Sequence, residues 1–267
     1  GEALPLVTVL TLAATGSEMN SGCVITNEET KQKFNAGGPG LFPKTSILDP
    51  ETTFSVPKSH TAYGAMDCLA HLFEGYFTTT DLQNSVSLEI TEGLCRSIIA
   101  STEKIMKNPR DYEARASMMW SCALALNGLP VCGFKDVDFI NHAVEHSLSA
   151  IHDIAHGAGL AIVMPAWLSW KLENDSSFAP RMAGFSKRVL VLEVTTKNEA
   201  ASAADGIKKL KAWFKLIGAP VTLREAGIKP EGIPEIASNS QMLMDKWGIK
   251  GYPQKVVEEI LGKAIGP

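Results

Sequence analysis

Apolar positions along this chain change their spacing once, near residue 57. Before that point, residues 6–12 form a short apolar, β-branched run of the kind that fills a buried strand. Cys23-Val-Ile-Thr26 and Lys33-Phe34 flank Asn27-Glu-Glu-Thr30, the pattern of a hairpin, and Gly37-Gly-Pro-Gly40 reads as the loop that ends it. Ser46-Ile-Leu48 is a third short strand, stopped by Asp49-Pro50. After Ser59, apolar residues recur every three or four positions over 60–77, 82–106, 110–126, 138–151, 157–171, 179–192 and 200–217, each predicting a helix. Pro109, Gly128-Leu-Pro130, Asn174-Asp175, Gly218 and the stretch 227–234 punctuate them. The pattern therefore predicts a small β-containing piece, residues 1–57, followed by a mainly α-helical domain, residues 58–267.

Composition adds mostly exclusions. With 45% apolar and 20% charged residues over 267 positions, the chain is an ordinary globular sequence of one large or two modest domains. A formal net charge of −4 gives no electrostatic attraction to nucleic acid or an anionic membrane, and no apolar stretch reaches the length of a membrane span. Five cysteines without a C-x-x-C pair suit a reduced, cytoplasmic thiol set rather than a disulfide framework. Cys68 in particular reads as packing. The opening, Gly1-Glu-Ala-Leu-Pro-Leu6, has no initiator Met and runs straight into a strand-like segment, as a chain cut inside a domain would.

Chemistry concentrates in the histidines. Four of the six lie in Asn141-His-Ala-Val-Glu-His-Ser-Leu-Ser-Ala-Ile-His-Asp-Ile-Ala-His156, and a fifth follows an acid in Met66-Asp-Cys-Leu-Ala-His71. Residues four apart share a helix face. Asp67 with His71, and His142 with His146, are thus two such pairs, while His156 stands before Gly157-Ala-Gly159 at an expected helix entrance. Imidazole is the commonest transition-metal ligand, and one carboxylate with three imidazoles suits Fe2+ or Zn2+. Asp67, His71, His142 and His156 are the expected metal ligands. His142-Ala-Val-Glu-His146 also has the H-x-x-E-H form of an inverted zincin, with Glu145 as general base. A zinc metallopeptidase is therefore the rival reading, although it leaves Asp67, His71 and His156 without a role.

Four motifs together carry a family resemblance: Thr11-Leu-Ala-Ala-Thr-Gly-Ser-Glu18, Ser46-Ile-Leu-Asp-Pro50, Met66-Asp-Cys-Leu-Ala-His71 and the run from residue 141 to 165. In order, spacing and local context the chain resembles the iron-containing (group III) alcohol dehydrogenases, especially their butanol-dehydrogenase-like branch. The resemblance implies a dehydroquinate synthase-like fold, here an N-terminally truncated α/β remnant followed by a helical metal domain. It implies interconversion of alcohols with aldehydes or ketones using NAD or NADP. The same four metal ligands follow from it, with Fe2+ or Zn2+ bound.

By the same match, His146 is a histidine near the site that serves proton transfer or substrate positioning, and His152 is a second candidate for the proton path. Thr11, Thr15, Asn20, Lys31 and Val56 match cofactor-contact positions, and the family's habit implies a homodimer. Read by itself, Thr15-Gly-Ser-Glu18 has the form of a capping box, which starts a helix or a turn. The family's glycine-rich pyrophosphate loop occurs nowhere in this chain. A metal-binding but catalytically silent chain is accordingly a third reading.

Overall fold

The structure, a computed structural model, describes residues 3–80, 83–192 and 198–266. It forms two compact units, residues 1–137 and 138–267, so the change of apolar period falls inside the first of them.

In the first unit, β1 (Val7–Val9) pairs in parallel with β4 (Thr45–Ile47). The expected hairpin forms as β2 (Gly22–Asn27) against β3 (Gln32–Gly37) in antiparallel register, Cys23 opposite Ala36 and Ile25 opposite Phe34. Asn27 holds its turn, accepting from the Glu29 and Thr30 amides at 2.9 and 3.1 Å. Residues 6–12 are not the buried strand their composition predicts: Val7 and Val9 are 61% and 55% exposed. The reason is topological. Among the described residues β1 and β4 make a two-stranded sheet, whereas parallel strands are covered only where a wider sheet carries helices on both faces.

Three helices follow: α1 (Lys58–Thr78), α2 (Ser85–Lys107) and α3 (Tyr112–Ala125). The expected start of the second at Leu82 lies outside the described residues. Side chains cap two of them: Asn84 accepts from the Ser87 amide, and Asp111 from the Ala114 amide. Almost every residue of α1 from Thr61 to Phe77 is buried, because α2 and α3 both pack on it. Leu69, Leu72 and Phe73 each contribute roughly 1.5–3 kcal/mol by leaving water. The buried Tyr76 hydroxyl donates to Glu92 Oε1 at 2.6 Å, tying α1 to α2. Cys68 of α1 and Cys122 of α3 are joined as a disulfide, against the expectation of unpaired thiols. Their Cα atoms lie 5.3 Å apart, inside the range a disulfide spans. Helix packing makes that approach across a sequence separation of 54, which no local cysteine spacing announces.

The second unit contains α4 (Ile140–His152), α5 (His156–Asn174), α6 (Phe178–Arg188), α7 (Glu199–Leu216), α8 (Ile233–Trp247) and α9 (Gln254–Gly262). Residues 157–168 of α5 are buried all round, as expected of a helix without a polar face, and α4, α7 and α9 pack against it. The last two helices follow the breaker-rich stretch 227–234, whose final two residues already belong to α8, and that stretch conceals them in the apolar pattern. There Pro234 is simply an early helical residue of α8, and Gly248 closes that helix at φ 69°. No helix of the described residues is long and apolar enough to cross a membrane.

Candidate metal centre

The local geometry of the second unit begins with a chain reversal. Asp153 adopts the left-handed conformation, φ 51°, which short acidic side chains tolerate better than most. It ends α4 after His152; Ala155 is extended, and α5 starts on His156 itself. This short connection lets α5 fold back against α4. The His142 and His156 rings come to 5.2 Å between centroids, His146 and His156 to 5.3 Å, and His142 and His146 to 6.2 Å.

His142 and His146 are buried, at 5% and 3% exposure, and His156 is half-buried, its side chain 24% exposed. Ligand atoms of Glu145, His146 and His156 all lie within 4.8 Å of one another. Aromatic rings wall the cluster: Phe139 stands 5.6 Å from His142, and Trp247, the last residue of α8, 5.6 Å from His146. Burying imidazoles and carboxylates together is costly unless they are paired or hold a metal, so such a cluster has to have a purpose.

In the first unit, the other expected pair is formed as its spacing requires. Asp67 Oδ1 lies 3.6 Å from His71 Nε2, one turn apart on α1, at 2% and 5% residue exposure.

Not every expected residue joins these groups. His152 sits on the last turn of α4, with its Nε2 beside Gly232, and among the described residues no ring contact links it to the other histidines. Thr15 and Asn20 do meet: Asn20 Nδ2 donates to the Thr15 carbonyl at 2.9 Å, while Thr15 Oγ1 lies 2.8 Å from Ser17 Oγ. Val56 lines a small cavity with Leu12, Ala13 and Thr53, immediately after Thr11 in sequence. Lys31 occupies the left-handed position of the β2–β3 turn, φ 53°.

Of the helix or turn start that residues 15–18 allow, the turn forms, with Gly16 at φ 63° and the Met19 amide bonded to the Gly16 carbonyl at 2.9 Å. Glu18 is left 5% exposed. Desolvation by burial raises its pKa above the ordinary 4.5, and a hydrogen bond from its own backbone amide offsets this in part. An acid whose folded pKa is raised contributes stability below 4.5 that is lost as pH climbs through the folded value. Glu18→Gln is therefore expected to raise the urea midpoint at about pH 7 and leave it unchanged at about pH 4. Equal midpoints at both pH values would remove this account of Glu18.

Glu145 is the residue whose role the sequence pattern misassigns. It is 0% exposed, and its Oε2 accepts from His156 Nδ1. A peptidase base must reach a metal-bound water, and this carboxylate is sealed at the α4–α5 contact, which argues against the H-x-x-E-H peptidase reading. Phe139 carries no sequence signal of its own, since a lone aromatic near a helix end reads as core, whereas Trp247, on a helical pattern, reads as core or pocket wall and stands here as a wall.

Comparison with known proteins agrees with this layout. A model of the C-terminal part of the Fe-containing alcohol dehydrogenase family matches residues 61–263, and a model of iron-containing alcohol dehydrogenase matches residues 1–50. The chain is 42% identical over 242 residues to a probable NADH-dependent butanol dehydrogenase of Bacillus subtilis, covering 90% of this chain and 60% of that one. It is 32% identical to the NADPH-dependent aldehyde reductase YqhD of Escherichia coli, covering 88% of this chain and 59% of the relative. Among solved structures, NADH-dependent butanol dehydrogenase A of Thermotoga maritima superposes with a TM-score of 0.91 at 40% identity, over 99% of this chain and 67% of that one. The chain thus spans about 60% of the length of the curated relatives it matches. With a family model covering most of its residues, the chain belongs to the iron-containing alcohol dehydrogenase family.

Proposed function

We propose that the protein is a metal-dependent, NAD(P)H-linked alcohol dehydrogenase or aldehyde reductase acting on primary alcohols and their aldehydes. The observation that carries the reading is the convergence of three imidazoles, two buried and one half-buried, at the α4–α5 reversal. Its donor chemistry suits a ferrous ion: His142 and His156 would supply nitrogen, and by the family match Asp67 and His71 would supply a carboxylate and a third nitrogen. Names of relatives support the substrate class, since they specify butanol and aldehydes with NADH or NADPH.

When bound, the ion supplies Lewis acidity toward the substrate oxygen. The chain's own residues do the rest. Phe139 and Trp247 make the walls apolar, which limits water and favours an alkyl chain. His146, whose ring centroid is 5.3 Å from that of His156 and which is flanked by Trp247, is the group that exchanges the proton, with His152 at the end of α4 the second candidate for that path. Thr11, Thr15, Asn20, Lys31 and Val56 are the positions that line the nicotinamide cofactor.

The test is loss of NADH absorbance with butanal as substrate, on the chain reconstituted anaerobically with ferrous ion. Turnover that His146→Ala slows, with a changed pH–rate profile, supports the reading. Full metal occupancy without any turnover would overturn it and leave a metal-binding chain with no catalysis.

A further inference from the structure

The carboxylate of Glu145 is built into the fold at some cost. It is 0% exposed on α4, where a charge needs compensation to be tolerated. Within the imidazole cluster its Oε2 is bonded to His156 Nδ1. The neighbouring helix makes room for it at Gly159, three residues after His156: a Cβ added there would lie 2.7 Å from both Cγ and Oε1 of Glu145. The α4–α5 contact is therefore shaped around this side chain from both sides.

We propose that Glu145 is the positioning residue for His156, fixing the tautomer and rotation of a metal-binding imidazole. The inference rests on the reading of His156 as a ligand. With Nδ1 engaged by the carboxylate, Nε2 on the far side of the ring keeps the lone pair that an ion needs. Carboxylate–histidine–metal relays of this kind raise ligand basicity and hold the ring, and they are as much part of a metal site as the ligands.

Glu145 is not itself a ligand in this arrangement, although its atoms lie within 4.8 Å of those of His146 and His156. Its Oε2 is taken up by His156 Nδ1, so the carboxylate stands behind the ring rather than against the ion.

The experiment compares the dissociation constant of Co2+, measured by chelator competition, for wild type, Glu145→Gln, Glu145→Ala, Gly159→Ala and His156→Ala. The cobalt absorption spectrum reports the ligand set, and unfolding midpoints report the fold. Glu145→Ala and Gly159→Ala are expected to weaken Co2+ about 10- to 100-fold with the spectrum's shape retained, the effect typical of losing an outer partner. Glu145→Gln is expected to stay close to wild type, because its amide oxygen still accepts from Nδ1. His156→Ala loses more affinity and changes the spectrum.

Wild-type affinity in Glu145→Ala, beside a weakened His156→Ala, overturns the positioning role alone. Glu145→Gln as weak as His156→Ala, with an altered spectrum, overturns it in favour of a direct ligand. Should His156→Ala itself bind Co2+ normally, the four-ligand reading fails instead, and this inference with it. If Glu145→Ala does not fold, Gly159→Ala decides by the same criterion, and wild-type affinity there overturns the role.

Discussion

Asp67→Ala is expected to lower bound ferrous ion from near one equivalent to near none at micromolar metal, and His142→Ala to do the same. A four-ligand zinc site contributes about 10–16 kcal/mol, so one missing ligand weakens binding by on the order of 3 kcal/mol, at least about 100-fold. The two substitutions lie in different compact units of the chain. If they serve one ion, the double variant is no worse than the weaker single one, because residues acting as a unit are strongly non-additive. Additive losses would show two separate sites. Elemental analysis after reconstitution, together with chelator competition for Co2+, reads both quantities. Aldehyde reduction should vanish with the metal in each variant.

The second large effect concerns the backbone beside Asp67. Gly64 sits one turn before it on α1, and a Cβ at Gly64 would lie 2.2 Å from the carbonyl oxygen of Ala13. That contact is with backbone, so no side-chain rotation relieves it. Gly64→Ala must push the segment 11–16 away from α1, at a cost of about 1–3 kcal/mol, the usual range for overpacking. The same segment carries Thr11 and Thr15, proposed to line the cofactor. The variant is expected to show a lower urea midpoint and a raised KM for NADH, with metal content kept. An unchanged midpoint would mean that α1 and this segment do not meet as described.

Much of the site is legible in the sequence because helical spacing is local physics. Asp67 with His71, and His142 with His146, project together simply by standing one turn apart, and the structure forms both pairs. The hairpin is equally plain, since Asn27 and its neighbours are turn formers between two strand-like runs. Where expectation and structure part, the deciding partner lies elsewhere in the chain.

Glu145 looks like a peptidase base only while its neighbours in sequence are considered; its partner His156 is brought back by the left-handed turn at Asp153. Burial of residues 6–12 depends on what covers a sheet, and composition carries no record of that. Cys68 and Cys122 meet through helix packing. Thr15-Gly-Ser-Glu18 has capping form, and of a helix or a turn it starts the turn, no helix following to be capped. Trp247 gains its place against His146 from α8, a helix concealed behind prolines and glycines.

Everything proposed for this chain depends on where the ion binds. Crystals grown with cobalt, measured for anomalous scattering at the metal's absorption edge, locate it without reference to activity. The expected map holds a single strong peak within bonding distance of Asp67, His71, His142 and His156, with Glu145 behind His156 and not touching the ion. A peak held by His142, Glu145 and His146 alone, with Asp67 and His71 unengaged, would refute the four-ligand centre.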